Sequence, residues 1–200
     1  MVIDELSGAT GYSFHDPDLA RLALTHRSAI GRGRSKTYER LEFLGDRVLA
    51  LVIADLLYDN FPDEDEGSLA KRLVALVRRE TLADVASSLG LPPLIELSRG
   101  EEDAGGRQNP AILADVCEAL IGAMYRDGGM RAARAFIRRN WLDRMCGMEK
   151  PPKDAKTELQ EWAQGRGLEL PEYREVGRSG PDHAPAVSYT HLTLPTKRIV

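Results

Sequence analysis

The sequence predicts an all-α domain up to about residue 146, followed by a short α+β segment. Three observations carry this. Apolar residues recur three and four positions apart from Asp18 to about Met145. No alternating strand pattern interrupts them. A proline-containing stretch, GMEKPPKDA (147–155), then ends the periodicity. At 200 residues with 42% hydrophobic side chains, the chain can bury a core of ordinary size.

In order along the chain, Leu19, Leu22 and Ala23 open a first helix, which Thr25-His26-Arg27-Ser28 closes. GRGRSK (31–36) reads as a basic loop. Residues 37–60 form one long helix with Leu41, Leu44, Val48, Leu51 and Val52 on its apolar side, stopped by Asn60-Phe61-Pro62. An acidic connection leads to a helix from about Ser68 carrying Leu69, Leu73, Leu76 and Val77, and a further helical segment spans 81–89. Pro92-Pro93 breaks the pattern, and 98–110 is a polar loop. Helices then run over 111–126 and from about Met130 to Arg144, separated by Gly128-Gly129. After the linker come a short helix (156–165) and an extended run at Tyr173-Arg-Glu-Val. From Ala186 the composition changes: the final stretch lacks acids and is rich in threonine, so 187–200 reads as a non-native tail.

No apolar run approaches the ~20 residues of a membrane span, and the acidic N-terminus has no signal-peptide core. Two cysteines cannot staple a scaffold, and they read as reduced thiols of a cytoplasmic protein. The net charge of −4 disfavours a simple electrostatic binder of nucleic acid. Residues 1–150 hold 20 basic and 24 acidic side chains, so this part would need a bound divalent cation to meet a polyanion.

Two acidic constellations give that cation a place. At about 100° per residue, Glu39, Glu42 and Asp46 share an arc of about 60° on the long helix. Taken alone, that face is explained equally well as solvated surface. The second constellation differs: between Arg107 and Arg126 only Asp115 and Glu118 are charged, at i and i+3 within ILADVCEALIGAMY. Two carboxylates on so apolar a helix repel one another and lose solvation. An arginine partner or a solvent seam would relieve them; a hard cation held by Glu42, Asp46, Asp115 and Glu118 explains them better, and Mg²⁺ suits an all-oxygen set. A di-iron bundle would place histidine three residues after its glutamates, where this chain has Gly45 and Ile121. Phe43 stands beside the acids, about 40° from Glu39, where it either shields the site or anchors a partner subunit.

Glu39-Arg-Leu-Glu-Phe-Leu-Gly-Asp46 resembles the signature of the ribonuclease III family, which cleaves double-stranded RNA. Leu24-Thr-His-Arg-Ser28, Asp65-Glu-Gly67, Ile112-Leu-Ala-Asp115 and Glu118-Ala-Leu-Ile121 match further motifs, in order, over residues 12–145. The resemblance implies an all-α endonuclease domain acting as a homodimer. Glu42, Asp46, Asp115 and Glu118 would bind Mg²⁺, with Mn²⁺ as a substitute; Asp46 and Glu118 would be tied most directly to hydrolysis. Glu39 and Glu66 would be auxiliary carboxylates, and Phe43 would enter a pocket of the other subunit. Tyr38 departs from the asparagine or histidine usual in bacterial members, and Arg47 from a small residue.

Downstream, Asp154 to Trp162, Pro171-Glu-Tyr-Arg174 and Gly180-Pro-Asp-His183 resemble the start of a double-stranded-RNA-binding domain. There Thr157, Gln160, Glu161 and His183 would meet RNA. The match stops before two further strands and a lysine-led helix, so that domain is expected to be incomplete. The implied divisions are an endonuclease domain (1–146), a linker (147–154), a partial RNA-binding domain (155–186) and the tail (187–200). The implied activity is Mg²⁺-dependent hydrolysis of double-stranded RNA to 5′-phosphate and 3′-hydroxyl ends, in the processing of rRNA, mRNA and tRNA precursors. A non-cleaving RNA scaffold would need none of the four carboxylates, and an acidic interaction protein would not need half an RNA-binding domain.

Overall fold

The computed structural model describes residues 2–29, 37–152, 155–168, 171, 173–179 and 186–191. The basic loop at 31–36, His183 and the end of the chain beyond residue 191 lie outside the described residues. The chain divides into two compact units, Met1–Pro152 and Lys153–Val200.

Helices α1 (Val2–Thr10), α2 (Pro17–Leu24), α3 (Glu39–Asn60), α4 (Glu66–Val77), α5 (Arg79–Ser88), α6 (Arg99–Asp103) and α7 (Pro110–Cys146) make up the first unit. Its centre is the α3–α7 pair, with α2 and α5 against α7 and α4 against α3. Leu49, Ile53 and Leu57 of α3 meet the core alongside Leu120, Ile121 and Met124 of α7, all almost fully buried. The indole N–H of buried Trp141 donates to the Leu76 carbonyl at 2.9 Å, tying the end of α7 to α4. Buried Arg72 forks onto Glu64 at 2.6 and 2.8 Å and donates to the Met148 carbonyl, so its charge is paired.

Two glycines let α3 and α7 touch backbone to backbone. A Cβ on Gly45 would stand 1.8 Å from the Glu118 carbonyl oxygen, and one on Gly122 would stand 2.1 Å from that of Leu41. A mid-helix glycine costs about 1 kcal/mol relative to alanine. Here that cost is offset by close approach of two helices.

The helical pattern differs from expectation in three places. Helix α1 was not legible in the sequence: it is short, and Leu6 is its one fully buried apolar side chain. The expected loop at 98–110 contains α6, whose N-terminus is capped by Ser98 accepting from the Glu101 N–H at 3.2 Å. The two helices expected around Gly128-Gly129 join in α7, which is kinked where Gly129 takes φ 71° and ψ −171°. At that kink Asp127 fastens the N-terminal segment. Its carboxylate accepts from Tyr12 Oη (2.7 Å) and from the His15 and Asp16 N–H groups (each 2.9 Å). Burial opposes the charged form, yet these bonds outweigh it and hold the carboxyl at about 2.

The second unit contains α8 (Ala155–Gly165) and strands β1 (Tyr173–Ser179) and β2 (Ala186–His191). The strands pair antiparallel, with Tyr173 opposite His191 and an irregularity between Glu175 and Gly177. The stretch set apart by its composition, 187–200, thus begins inside a strand. Residues 187–191 complete a hairpin, consistent with the strand propensity of valine, tyrosine and threonine.

Gly122→Ala drives a methyl into backbone rather than into a movable side chain, so it should cost roughly 3 kcal/mol or more in urea denaturation. A loss below about 1 kcal/mol would mean that the two helices separate easily, contrary to this packing.

Candidate active site

Both acid-bearing helix segments lie at the glycine contact. Gly45 sits between Glu42 and Asp46 on α3, and Gly122 follows Asp115 and Glu118 on α7. Asn109 starts α7 there: its side chain accepts from the Ala111 N–H at 2.9 Å, and Pro110 occupies the first turn. A cleft of about 460 Å³ opens beside this junction, and its lining includes His26, Arg27, Tyr38, Asn109 and the acids Glu39, Glu42, Glu101 and Asp115.

The carboxylates there are held under electrostatic pressure. Burial raises Glu42, and Asp115 and Glu39 raise it further against the opposing charge of Arg27. Burial raises Asp115 despite a hydrogen bond from Tyr38 and the charge of Arg79. Glu118 is pushed up to about 7, by burial first and then by Glu42 and Asp115. Three of the four predicted ligands thus sense one another across two helices.

Asp46 does not join them. Its side chain is ion-paired with Arg47, the residue singled out in the sequence as a departure from the family pattern. Neither Asp46 nor Glu118 lines the cleft. Among the described residues no three histidine, cysteine, aspartate or glutamate side chains stand close enough to hold one metal ion. The chemistry of the set still fits a hard divalent cation: every donor is a carboxylate oxygen, and burial leaves three of them in want of positive charge. For Asp46 to enter such a set, it must exchange Arg47 for the cation.

The remaining expected residues are dispersed. Glu39 is exposed and accepts from Thr37 Oγ1 at 2.9 Å. Glu66 opens α4, is exposed and does not line the cleft. Phe43 is 66% exposed, with the Arg47 guanidinium 5.2 Å from its ring centroid. Thr157, Gln160 and Glu161 all fall on α8.

Several cleft residues had been given no role from sequence. His26 is buried and fixed by its Nδ1 contact with Ser28 Oγ at 2.8 Å and by its N–H to the Glu96 carbonyl at 3.0 Å. Arg27 follows it, and Tyr38 donates its hydroxyl to Asp115 Oδ2 at 3.2 Å. The Thr-His-Arg-Ser run and the Asn-Pro pair were visible signals. Only the fold shows that they share a cleft.

The ribonuclease-III-like family model matches residues 16–145. Ribonuclease 3 of Bradyrhizobium diazoefficiens is 53% identical over 182 residues, covering 90% of this chain and 73% of that protein. Ribonuclease 3 of Nitrobacter winogradskyi is 54% identical over 177 residues, covering 88% of this chain and 66% of the relative. Among solved structures, the nuclease domain of ribonuclease III from Campylobacter jejuni superposes with a TM-score of 0.65 at 40% identity. It covers 70% of this chain and 99% of its own, and was described for flexibility in the region involved in dimer formation.

The raised Glu118 has a consequence for stability. Below about pH 4.5 it is protonated folded and unfolded alike; between 4.5 and about 7 only the unfolded carboxyl ionises, which favours unfolding. Glu118→Gln should therefore stabilise the divalent-free protein by about 1–3 kcal/mol at pH 8 and leave it unchanged at pH 4. Urea midpoints at both pH values check this; equal midpoints for variant and wild type at pH 8 would remove the strain from Glu118.

Proposed function

The chain belongs to the ribonuclease-III-like family, and from that premise we propose that it is a Mg²⁺-dependent endoribonuclease that cuts both strands of double-stranded RNA as a homodimer. The observation that carries this reading is the meeting of two acid-bearing helix faces at a backbone contact beside a cleft that an arginine also lines. A pure binding scaffold gains nothing from burying Glu42, Asp115 and Glu118 together.

Glu42, Asp46, Asp115 and Glu118 would hold Mg²⁺, with Mn²⁺ as a substitute. When bound, the ion supplies positive charge and Lewis acidity at the scissile phosphate. Arg27 adds a fixed positive charge on the cleft wall, which an acidic domain needs to retain a phosphodiester. Because burial and its acidic neighbours push Glu118 up to about 7, a cation held there near neutral pH would displace its proton. Asp46, once released from Arg47, and Glu118 would be the residues tied most directly to hydrolysis. Hydrolysis would leave 5′-phosphate and 3′-hydroxyl ends, in processing of rRNA, mRNA and tRNA precursors. Glu39 and Glu66 would help place the RNA, as would Thr157, Gln160, Glu161 and His183 from the second unit.

The homodimer reading rests on an unpartnered apolar face. Phe43, Leu51 and Tyr58 of α3 are 66%, 60% and 75% exposed, and Val74 of α4 is 66% exposed. At about 100° per residue the three α3 side chains fall within about 80° of one another. Exposed large apolar side chains aligned in this way mark an interface. Two protomers joined there would place one centre at each strand. No described helix is long and apolar enough to cross a membrane.

A long RNA duplex incubated with the protein should be cut to short duplexes in Mg²⁺ and left intact in EDTA, while Glu118→Gln should leave it intact in both. Cutting by that variant at near wild-type rate would remove Glu118 from the chemistry. Phe43→Ala should weaken dimerisation by on the order of 2 kcal/mol with helical content retained. Sedimentation across a dilution series reads this, and an unchanged dimer would leave Phe43 as a mere shield of the acids.

A further inference from the structure

Tyr38 stands immediately before α3 and touches both acid-bearing helices. Its carbonyl accepts from the N–H groups of Leu41 (2.8 Å) and Glu42 (2.9 Å), and its hydroxyl reaches Asp115 Oδ2 at 3.2 Å. The residue is only 3% exposed. Its ring lies 5.7 Å from that of His26, and its N–H donates to the Thr25 carbonyl at 3.3 Å. The hydroxyl therefore has little freedom to point elsewhere.

A second tyrosine–aspartate pair in the same unit shows what a purely structural bond of this kind looks like. Asp127 accepts from Tyr12 but also from two backbone N–H groups and lies against His15 Nδ1, so its charge is consumed by fixed donors. Among the described residues Asp115 accepts a hydrogen bond from Tyr38 alone. A neutral hydroxyl orients a carboxylate without cancelling its charge, whereas a guanidinium in that place would compete with a cation. Groups that orient ligating side chains in this way commonly govern metal affinity about 10- to 100-fold.

We propose that Tyr38 is a positioning residue for the divalent-cation site: its hydroxyl aims Asp115 of α7 while its carbonyl fixes the turn that carries Glu42 of α3. This rests on the metal-dependent reading of the site above. It concerns a residue outside the four carboxylates, at a position where this chain departs from the usual pattern.

The test compares Tyr38→Phe with Tyr12→Phe in the full chain, each losing one hydroxyl bonded to an aspartate. Mg²⁺ binding is read by titration calorimetry without RNA, and cleavage of a long duplex is followed across a Mg²⁺ series. Tyr38→Phe should raise the half-saturating Mg²⁺ concentration about tenfold in both measurements, with kcat at saturating Mg²⁺ within about twofold of wild type. Tyr12→Phe should lower thermal stability and leave half-saturation unchanged. Equal half-saturation for Tyr38→Phe and wild type would overturn the proposal, as would an equal shift in Tyr12→Phe. Loss of the helical circular-dichroism signal in Tyr38→Phe would mark the hydroxyl as a fold contact and overturn it too. A wild-type protein that neither binds Mg²⁺ nor cuts in it would instead bring down the reading of the whole site.

Discussion

The backbone contact between α3 and α7 is the constraint on which the rest of this protein depends. With any side chain larger than hydrogen at Gly45 or Gly122, one helix would have to retreat from the other's carbonyls. Only at that separation do Glu42 on one helix and Asp115 and Glu118 on the other interact strongly enough to perturb one another. The apolar faces that pack around the contact supply the cohesion, through residues such as Leu49, Ile53, Leu120 and Ile121. Core packing and site assembly are therefore one event: the core sets the distance that the acids need.

That arrangement carries an internal opposition. Hydrophobic burial draws the helices together, and the same approach strips water from carboxylates that repel each other. The fold accepts a locally unfavourable charge cluster because the surrounding core is large, as domains commonly do at sites of chemistry. Arg27 offsets part of the repulsion at Glu42 and Asp115, Arg79 at Asp115 and Arg47 at Glu118. Arg47 does more: it pairs with Asp46 and lies over the Phe43 ring, so one guanidinium links a carboxylate of the cluster to an exposed apolar anchor.

Much of this was legible before any coordinates. The three-and-four spacing of apolar residues located α3, α4, α5 and both halves of α7, because each buries a continuous stripe. Asp115 and Glu118 announced themselves as the only charges on a long apolar run. Other features left weaker marks. Gly45 entered the sequence reading as a member of the signature and as a position lacking histidine, with no packing role, since a glycine inside a helix does not reveal which backbone it approaches. The strand at 186–191 was hidden by a shift in composition, and composition says nothing about what a segment pairs with. The pairing of Asp46 with Arg47 depends on side-chain rotamers, which adjacency in sequence does not determine. The roles of His26, Arg27 and Tyr38 needed the fold, because the cleft is assembled from segments lying far apart in the chain.

The clamp at the α7 kink has a further implication, for synthesis on the ribosome. Tyr12, His15 and Asp16 are among the first residues made, yet their partner Asp127 lies 111 to 115 positions later. Contacts of such long range are slow to close and cannot close at all until the later residue has emerged. A nascent chain ending before α7 lacks that clamp, half of the acidic cluster and the helix that covers α3. Premature fragments should therefore depend on chaperones to keep the apolar side of α3 from aggregating. Such fragments, ending before α7, would also lack Asp115 and Glu118, two of the four acids proposed to hold the ion.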